Sequence, residues 1–369
     1  MKDYGRKTFS KQETTTLQKK CKTSINHFSL NKKRYSETNA NSKKRSSPTI
    51  SLIYRDFSGS NAVSLYKNIK ENNLYDLEKI KLIKQGDVDA KIFHDSDIIV
   101  TTHGPIVNTA RHKNKFYADL WHGLPLKTIG LDMKNAPSRS AIFEQWSGVN
   151  FKATLSELHS RISKNAFNID NNSVFETGSP RNDLLIKSNG HKNLSKLLSQ
   201  EIKKHIIVYA PTFRKSIYWP GQNDGKKSQK NIFGFEDFHL KSFEHFLQKL
   251  NAIVVVKTHP AEEPIIKEKL KSQCKGSFFL LTSEMLEKNN IDFYETLNAS
   301  SMLITDYSSI FIDYLLLDKP ILFSIPDRHH FELNRGLYSG SKQLTKCGLH
   351  CDDQPSLQAS IKKCTLQSY

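Results

Sequence analysis

The sequence predicts an α/β protein with two doubly wound domains, because short apolar runs of strand length alternate with segments of helical period along most of the chain. Eleven such runs are more than one sheet of ordinary size holds. A length of 369 residues is also enough for two domains. We therefore expect two parallel sheets with helices on both faces.

The predicted strands, in chain order, are Thr49–Tyr54, Ile80–Ile83, Ile98–Thr101, Phe116–Trp121, Ala153–Leu155, Val174–Thr177, His205–Tyr209, Ala252–Lys257, Phe278–Leu281, Met302–Thr305 and Pro320–Phe323. Helical periodicity occurs in residues 60–70, Phe238–Leu250, Glu262–Leu270 and Ser309–Leu317. Glycine, proline and polar residues in Tyr218–Asn231 predict a long loop. We place the domain boundary near Lys187–Lys196, which gives an N-terminal domain of residues 49–187 and a C-terminal domain of residues 188–369.

Positive charge is concentrated near the amino terminus. The chain has 55 Lys and Arg against 37 Asp and Glu, a net charge of +18, and residues 1–48 contribute +10 of it through 13 basic and 3 acidic residues. This segment has few large apolar residues, so we expect a disordered basic tail. It also has few aromatic residues to stack on bases, which argues against the alternative of a nucleic-acid-binding protein.

Composition disfavours several other classes of protein. No run approaches the roughly 18–20 apolar residues of a membrane-spanning helix, and the first 30 residues lack the apolar core of a signal peptide. The five cysteines are scattered and form no disulfide framework. Cys347, His350 and Cys351 lie close in sequence but have no fourth ligand at zinc-site spacing. These features favour a protein of the reducing cytoplasm.

Functional residues are expected beyond the carboxyl ends of the strands, where ligands bind in open α/β sheets. In Leu120–Gly130 (LWHGLPLKTIG), His122 and Gly123 follow a predicted strand. A histidine in this place can take up a proton near neutral pH, although a structural loop histidine has the same pattern. Lys127 is either a contact for an anion or a solvated side chain.

Two further strand ends present cationic residues. Arg214 follows the turn in Tyr209–Arg214 (YAPTFR), and a guanidinium group suits phosphate. Lys257 and His259 lie two residues apart in Val254–Pro260 (VVVKTHP), so their side chains point in the same direction. Both segments predict a site for a phosphate or a leaving group, with ordinary surface residues as the alternative.

The segment Met302–Tyr314 (MLITDYSSIFIDY) joins a predicted strand to a helix. The strand ends at Thr305, and Asp306, Ser308 and Ser309 precede the helix. A helix N-terminus and its hydroxyl groups can hold a phosphate, while serine and aspartate at this place are also ordinary helix caps.

The segment Thr177–Asp183 (TGSPRND) is interpreted as a junction between the domains. Gly178 and Pro180 form a turn there, with Arg181 and Asp183 at the start of the next element. A structural contact between arginine and aspartate is the favoured role of these two residues.

Motifs of other enzyme classes are absent from the sequence. It has no Walker loop, no G-x-G-x-x-G after a strand, no G-x-S-x-G and no H-E-x-x-H. The remaining candidates are His, Arg, Lys and Ser side chains at strand ends, together with a helix N-terminus. This set of groups suits an anionic donor that contains a diphosphate.

Taken together, these segments resemble the CDP-glycerol glycerophosphotransferases, which include the primases and polymerases of teichoic acid synthesis and related capsule polymerases. WHGLPLKTIG, GSPRND, YAPTFR, VVVKTHP and ITDYSSIFIDYLLLDKPILF are similar to motifs of that family, over residues 95–338. The resemblance implies a GT-B-like fold, in which two Rossmann-like domains face a central cleft. It also implies that the C-terminal domain binds CDP-glycerol and that the N-terminal domain faces the acceptor.

The resemblance implies phosphoryl transfer. His122 matches the histidine that removes a proton from an acceptor hydroxyl, whose oxygen then attacks the β-phosphorus of CDP-glycerol and displaces CMP. His259 matches a second essential histidine beside the donor diphosphate. The residues assigned to the donor phosphates are Arg214, Lys257, Thr305, Asp306, Ser308 and Ser309. The further residues assigned to the family motifs are Gly123, Lys127, Arg181, Asp183 and Asp313.

The resemblance also implies the partners. The expected acceptor is a polyprenyl-linked saccharide or a growing teichoic-acid-like or capsular polymer. No resident metal is required, although Mg²⁺ can assist. A membrane-bound acceptor and a net charge of +18 imply peripheral attachment to anionic lipids at the cytoplasmic face of the cell membrane. The alternative that stays open is a GT-B glycosyltransferase of capsule synthesis that uses a nucleotide-sugar donor.

Overall fold

Two parallel β-sheets form the framework of the protein in a computed structural model, which describes residues 47–366 except 113, 135, 213–231, 274–275, 327–336 and 339–343. The first sheet contains β1 (Ile50–Tyr54), β2 (Ile80–Lys84), β3 (Ile98–Thr101), β4 (Phe116–Asp119), β5 (Val149–Thr154) and β6 (Val174–Glu176). Its spatial order is β2-β1-β3-β4-β5-β6, and each neighbouring pair is parallel.

The second sheet is likewise parallel. It contains β7 (His205–Tyr209), β8 (Ala252–Val256), β9 (Phe278–Leu280), β10 (Met302–Thr305), β11 (Ile321–Ser324) and β12 (Leu349–Cys351). Its order is β12-β11-β10-β7-β8-β9. The chain therefore moves from β7 to one edge of the sheet and returns to β10 on the other side. The carboxyl ends of β7 and β10, like those of β1 and β3 in the first sheet, flank a point where the strand order reverses and where ligands bind in such sheets.

Helices connect the strands on both faces of the sheets. In chain order they are α1 (Asn61–Glu71), α2 (Ala90–Asp95), α3 (Arg139–Trp146), α4 (Glu157–Phe167), α5 (Pro180–Lys187), α6 (Gly190–Leu198), α7 (Leu240–Lys249), α8 (Glu263–Gln273), α9 (Ser283–Lys288), α10 (Tyr294–Leu297), α11 (Ile310–Tyr314) and α12 (Gln354–Leu366). Local chemistry fixes several of their starts. The hydroxyl of Ser60, for example, accepts a hydrogen bond from the Val63 N–H at the start of α1.

The apolar runs form strands because parallel strands are buried on both faces. In β8, Ile253 and Val255 pack into one hydrophobic cluster, and Val254 and Val256 pack into the cluster on the opposite face. This alternation with a period of two explains why an unbroken apolar run is a strand here and not one face of a helix.

The predicted α/β architecture of two parallel sheets is confirmed, and the structure differs from prediction at the ends of some elements. The strand predicted over Phe116–Trp121 ends at Asp119, because Trp121 has a left-handed backbone with φ of 53°. The three-residue strand β12 was not predicted. Cys351 is its one buried residue, so the segment has no apolar run that would indicate a strand. The predicted loop Tyr218–Asn231 lies outside the described residues.

Residues Thr49–Tyr369 form one compact unit that contains both sheets. The division into domains at Lys187–Lys196 stays a prediction, as does the basic tail. Within the described part of the chain, every helix is too short or too polar to cross a membrane.

Candidate active site

His122 lies just beyond the carboxyl end of β4, at the boundary between the two sheets. Its Nδ1 is 2.8 Å from the carbonyl oxygen of Thr102. Because a carbonyl oxygen can only accept, Nδ1 is the nitrogen that donates, and in the neutral ring Nε2 is left with the lone pair. The imidazole is half-buried. It is therefore held in the tautomer that can take up a proton at Nε2.

The surroundings of His122 favour its neutral form. Burial lowers the pKa of His122 to about 4, the hydrogen bond to Thr102 opposes this effect, and the positive charges of Arg181 and Lys152 add to the lowering. Near neutral pH the imidazole is consequently uncharged, as a general base must be.

A second histidine, His103, packs against His122. Their rings are stacked with centroids 4.2 Å apart and an angle of 11° between their planes. Burial, followed by the charge of His122, holds the pKa of His103 well below its usual value. His103 is not among the site residues predicted from the sequence, although a signal is present: His103 and Gly104 follow β3, and His122 and Gly123 follow β4 in the same way.

Gly123 marks the place where the first sheet meets elements of the second. It has φ of +124°, and a Cβ atom built on it would lie 2.7 Å from Nη2 of Arg181 and 2.8 Å from Oγ of Ser309. Three of the predicted segments therefore come together at the residue that follows His122.

Arg181 is buried and has a structural role. Its Nη2 donates to Oδ2 of Asp313 at 2.6 Å, and Nη1 donates to the carbonyl oxygen of Gly59 at 3.1 Å. The hydroxyl of Tyr294 donates to the same carboxylate oxygen of Asp313 at 2.7 Å. The expected structural contact between arginine and aspartate exists, but its acceptor is Asp313. Asp183 is exposed and pairs instead with Lys187 at 3.1 Å, one helical turn further along α5.

Thr305 and Asp306 organise the turn that follows β7. The Thr305 hydroxyl is buried and donates to the carbonyl oxygen of Ala210 at 2.7 Å. The Asp306 carboxylate accepts hydrogen bonds from the N–H and hydroxyl of Thr212, at 2.8 and 2.9 Å. This turn leads to Arg214, which lies outside the described residues. Both side chains thus support the turn, and their phosphate-binding roles stay predictions.

Ser308 and Ser309 are half-buried at the start of α11, as the sequence indicates. The Ser308 N–H donates to Oδ1 of Asp306 at 3.2 Å. Ser309 adopts a helical conformation, and its hydroxyl makes no capping hydrogen bond to the helix. The helix-cap alternative is thus not realised by Ser309, whose Oγ lies beside Gly123.

Lys257 and His259 have different surroundings. Nζ of Lys257 donates to the carbonyl oxygen of Thr258 at 2.7 Å and to Oε1 of Glu263 at 2.8 Å. Lys257 is thus held in a largely buried ion pair, and its contact with a donor phosphate stays a prediction. His259 is half-buried, and burial lowers its pKa. The groups of the first sheet that act electrostatically on His259 are Asp56, Arg55 and Lys127.

Lys127 lies in a segment that pairs with residues 337–338, which follow β11 of the second sheet. It forms an antiparallel bridge with Leu337, and the Tyr338 N–H donates to the carbonyl oxygen of Leu126 at 3.0 Å. The Tyr338 hydroxyl also donates to Oδ2 of Asp132 at 2.7 Å. The loop that follows His122 is thereby attached to the second half of the chain.

Two buried charged residues beneath the site were also missed. Asp119 and Lys152 are fully buried and form an ion pair. Lys152 precedes the predicted strand Ala153–Leu155 and lies inside the observed strand β5. Its position in the sequence alone resembles that of a solvated lysine. In the described residues, no group of three or more His, Cys, Asp or Glu side chains is arranged to hold a metal ion.

Comparisons with known proteins identify the family to which the chain belongs. A model of the family described as CDP-glycerol:poly(glycerophosphate) glycerophosphotransferase matches residues 11–368, a longer stretch than the motifs span. The chain is 26% identical to a teichoic acid poly(glycerol phosphate) polymerase of Bacillus spizizenii, over 78% of this chain and 77% of that protein. It is 27% identical to a teichoic acid glycerol-phosphate primase of Bacillus subtilis, over 85% of this chain and 76% of that protein.

A solved structure of the wall teichoic acid polymerase TagF has the same fold. It superposes with a TM-score of 0.64 at 20% identity and covers 87% of this chain and 81% of its own. The predicted GT-B-like arrangement of two Rossmann-like sheets is confirmed by this likeness together with the strand orders.

Proposed function

Because the chain belongs to the CDP-glycerol:poly(glycerophosphate) glycerophosphotransferase family, we propose that the histidine-lined site at the boundary of its two sheets transfers glycerol phosphate from CDP-glycerol to an acceptor hydroxyl. The protein is a transferase of the teichoic acid polymerase and primase type. The residues that perform the transfer and the nature of the acceptor are the parts that we propose.

The state of His122 is the observation that supports the proposal most directly. Its Nδ1 donates to the Thr102 carbonyl, and its lowered pKa of about 4 leaves Nε2 unprotonated near neutral pH. Nε2 takes the proton of the acceptor hydroxyl while the oxygen attacks the β-phosphorus of CDP-glycerol. The bond from that phosphorus to the CMP oxygen breaks, and CMP leaves. Positioning and electrostatics provide most of the rate in such transfers.

The donor diphosphate is assigned to the side of the site formed by the second sheet. His259, Ser308 and Ser309 are half-buried there and can donate hydrogen bonds to phosphate oxygens. Arg214 keeps its proposed role as a phosphate ligand, on the basis of its residue type and sequence position. Lys127 and Arg55 add positive charge from the first sheet, since both act electrostatically on His259.

The acceptor is proposed to be a polyprenyl-linked saccharide or a growing teichoic-acid-like or capsular polymer. Relatives named as polymerase and primase support this class without separating the two. We also propose that the protein attaches to anionic lipid at the cytoplasmic face of the membrane. The support for this attachment is the net charge of +18.

Substitution of the two histidines tests the division of roles. His122→Ala removes the base, so turnover should fall by roughly 10²–10⁴-fold while CDP-glycerol binds with similar affinity. His259→Ala removes a contact that already exists in the ground state, so it should weaken donor binding as well as turnover. The exposed His94, on the surface of α2, provides the control His94→Ala, which should change neither quantity.

The measurements are calorimetric titration with CDP-glycerol and single-turnover release of CMP in the presence of a lipid-linked glycerol phosphate acceptor. Mass spectrometry of the products, with CDP-glycerol and CDP-ribitol compared as donors, identifies the group transferred. Near-wild-type turnover of both His122→Ala and His259→Ala would contradict the site assignment. A glycosylated product without glycerol phosphate would favour the glycosyltransferase alternative.

A further inference from the structure

We propose that the buried ion pair of Asp119 and Lys152 is a positioning unit that fixes the imidazole of His122 for proton transfer. The inference rests on the proposed function, in which His122 receives the acceptor proton. Both residues are fully buried, and neither belongs to a motif predicted from the sequence.

The Asp119 carboxylate binds two strand ends at once. Its Oδ2 accepts hydrogen bonds from the Gly104 N–H at 2.8 Å and from the Thr101 hydroxyl at 2.9 Å, both at the end of β3. Its Oδ1 accepts from the Trp121 N–H at 3.2 Å, at the end of β4, and from Lys152. One side chain therefore sets the position of β3 relative to the loop that follows β4.

These hydrogen bonds lie next to the two groups that hold His122, which are the carbonyl of Thr102 and the main chain at Trp121. The carbonyl that accepts from Nδ1 of His122 belongs to Thr102, which lies between Thr101 and Gly104. Trp121, whose N–H donates to Asp119, directly precedes His122 in the chain. Both the hydrogen bond and the main chain that orient the imidazole are thus anchored to the carboxylate of Asp119.

The backbone at Trp121 needs such support. Its φ of 53° is left-handed, a conformation that is unfavourable for a bulky L-residue. The side chain of Asn61 supplies further support, since Nδ2 donates to the carbonyl oxygens of Trp121 at 2.8 Å and Leu120 at 3.1 Å. This turn directs His122 towards the boundary between the sheets.

Lys152 acts on His122 through the indole of Trp121. The Lys152 ammonium lies 3.9 Å from the centroid of the Trp121 ring, and Trp146 and Phe167 lie further round it. The Trp121 ring stacks on His122 with centroids 4.4 Å apart. A buried ion pair is poor evidence for stability, because an apolar pair of similar volume is often as stable. The use of charges here is better explained by their effect on His122.

The charges predict a result that a merely structural role would not produce. Lys152 and Arg181 lower the pKa of His122, whereas Asp119 raises it. The other titratable groups that interact with His122 are His103 and His159. Loss of the Lys152 charge should therefore raise the pKa of His122, and loss of the Asp119 charge should not.

The experiment compares Lys152→Met, Asp119→Asn and the double variant Asp119→Asn/Lys152→Met in the full-length protein. The matched control is Lys81→Met, which changes an exposed lysine in β2 of the same sheet. CMP release from CDP-glycerol gives kcat, KM and the pH dependence of kcat/KM, and the imidazole C–H resonances of His122 give its titration by NMR. Thermal melting identifies the variants that fold.

Each positioning variant should lower kcat by about 10²-fold, because a displacement of about 1 Å costs that much, and should leave KM for CDP-glycerol nearly unchanged. Lys152→Met should also move the titration of His122 and the acidic limb of kcat/KM to higher pH. In Asp119→Asn, the titration of His122 and the acidic limb of kcat/KM should stay at their wild-type pH or move to lower pH. Lys81→Met should match wild type in every measurement.

A folded Lys152→Met protein with wild-type kcat and an unmoved acidic limb overturns the proposal. If the single variants do not fold, the double variant decides, because it leaves no unpaired buried charge. Its asparagine offers one acceptor oxygen in place of two, so a loss of kcat at constant KM supports the proposal and a wild-type kcat overturns it. Full turnover by His122→Ala would instead show that His122 is not the base, and a product without glycerol phosphate would show that the proposed function itself has failed.

Discussion

At the scale of single residues, Gly123 shows how two requirements select one amino acid. Its φ of +124° is in a region that L-residues avoid, and a Cβ atom would lie within 2.8 Å of both Arg181 and Ser309. We predict that Gly123→Ala destabilises the protein by about 1–3 kcal/mol and lowers turnover, because Arg181 and Ser309 must move. Urea unfolding and CMP release measure the two effects.

Gly178→Ala is the matched control for Gly123→Ala. Gly178 also has a positive φ, +81°, but no atom lies within 4 Å of its added Cβ. Gly178→Ala should therefore lower the free energy of unfolding through backbone strain alone. The folded protein should keep its wild-type turnover. Equal losses of turnover in the two alanine variants would show that the contact of Gly123 with Arg181 and Ser309 is unimportant.

At the scale of secondary-structure elements, helix α1, which follows β1 of the first sheet, is bonded to residues 290–295, at and just before the start of α10. Nζ of Lys67 donates to Oε2 of Glu295 at 2.6 Å and to the carbonyl oxygen of Asn290 at 2.9 Å. The Gly59 N–H, just before α1, donates to Oδ2 of Asp292 at 2.8 Å. These bonds hold the helix that precedes the site against the second half of the chain.

We predict that Lys67→Met lowers the free energy of unfolding by about 1–3 kcal/mol, because Glu295 loses its partner in a largely buried ion pair. The control Lys70→Met removes an exposed lysine from the last turn of the same helix and should have an effect within about 0.5 kcal/mol. Urea denaturation followed by tryptophan fluorescence gives both values. Similar midpoints for the two variants would mean that the Lys67–Glu295 bond adds nothing to the attachment.

At the scale of the whole molecule, the net charge of +18 bears on where the protein works, and +10 of it lies in residues 1–48. We predict that deletion of residues 2–47 weakens binding to vesicles containing phosphatidylglycerol and that the difference shrinks at high salt, where charges are screened. The melting temperature should stay nearly the same. A chain with the basic residues of this segment changed to glutamine is the control for length, and it should lose vesicle binding to the same extent.

A marked fall in melting temperature after the deletion would contradict the interpretation of this segment as a separate basic tail. The family match begins at residue 11 and therefore includes most of this segment, so the deletion also tests whether the matched part of the segment belongs to the fold.

Local patterns in the sequence were enough to predict the architecture and to indicate where a candidate site should lie. Apolar runs such as Ala252–Val256 are strands because burial on both faces requires an unbroken apolar run, and this property is local. Parallel strands place their carboxyl ends at one edge of each sheet, so the residues after them could be predicted to form a site. His122 and Gly123 do lie with Arg181 and Ser309, as that rule implies.

The partners of the charged and polar residues were decided by the tertiary structure alone. Arg181 pairs with Asp313, which is 132 positions away, and not with the neighbouring Asp183. Asp119 and Lys152 are paired because β4 and β5 are adjacent in the sheet with these two residues in register. Hydrophobic periodicity records which face of an element is buried, but an ion pair depends on which elements are neighbours and on their register. For that reason a lysine within a strand gives no sign in the sequence that its charge is buried beneath the site.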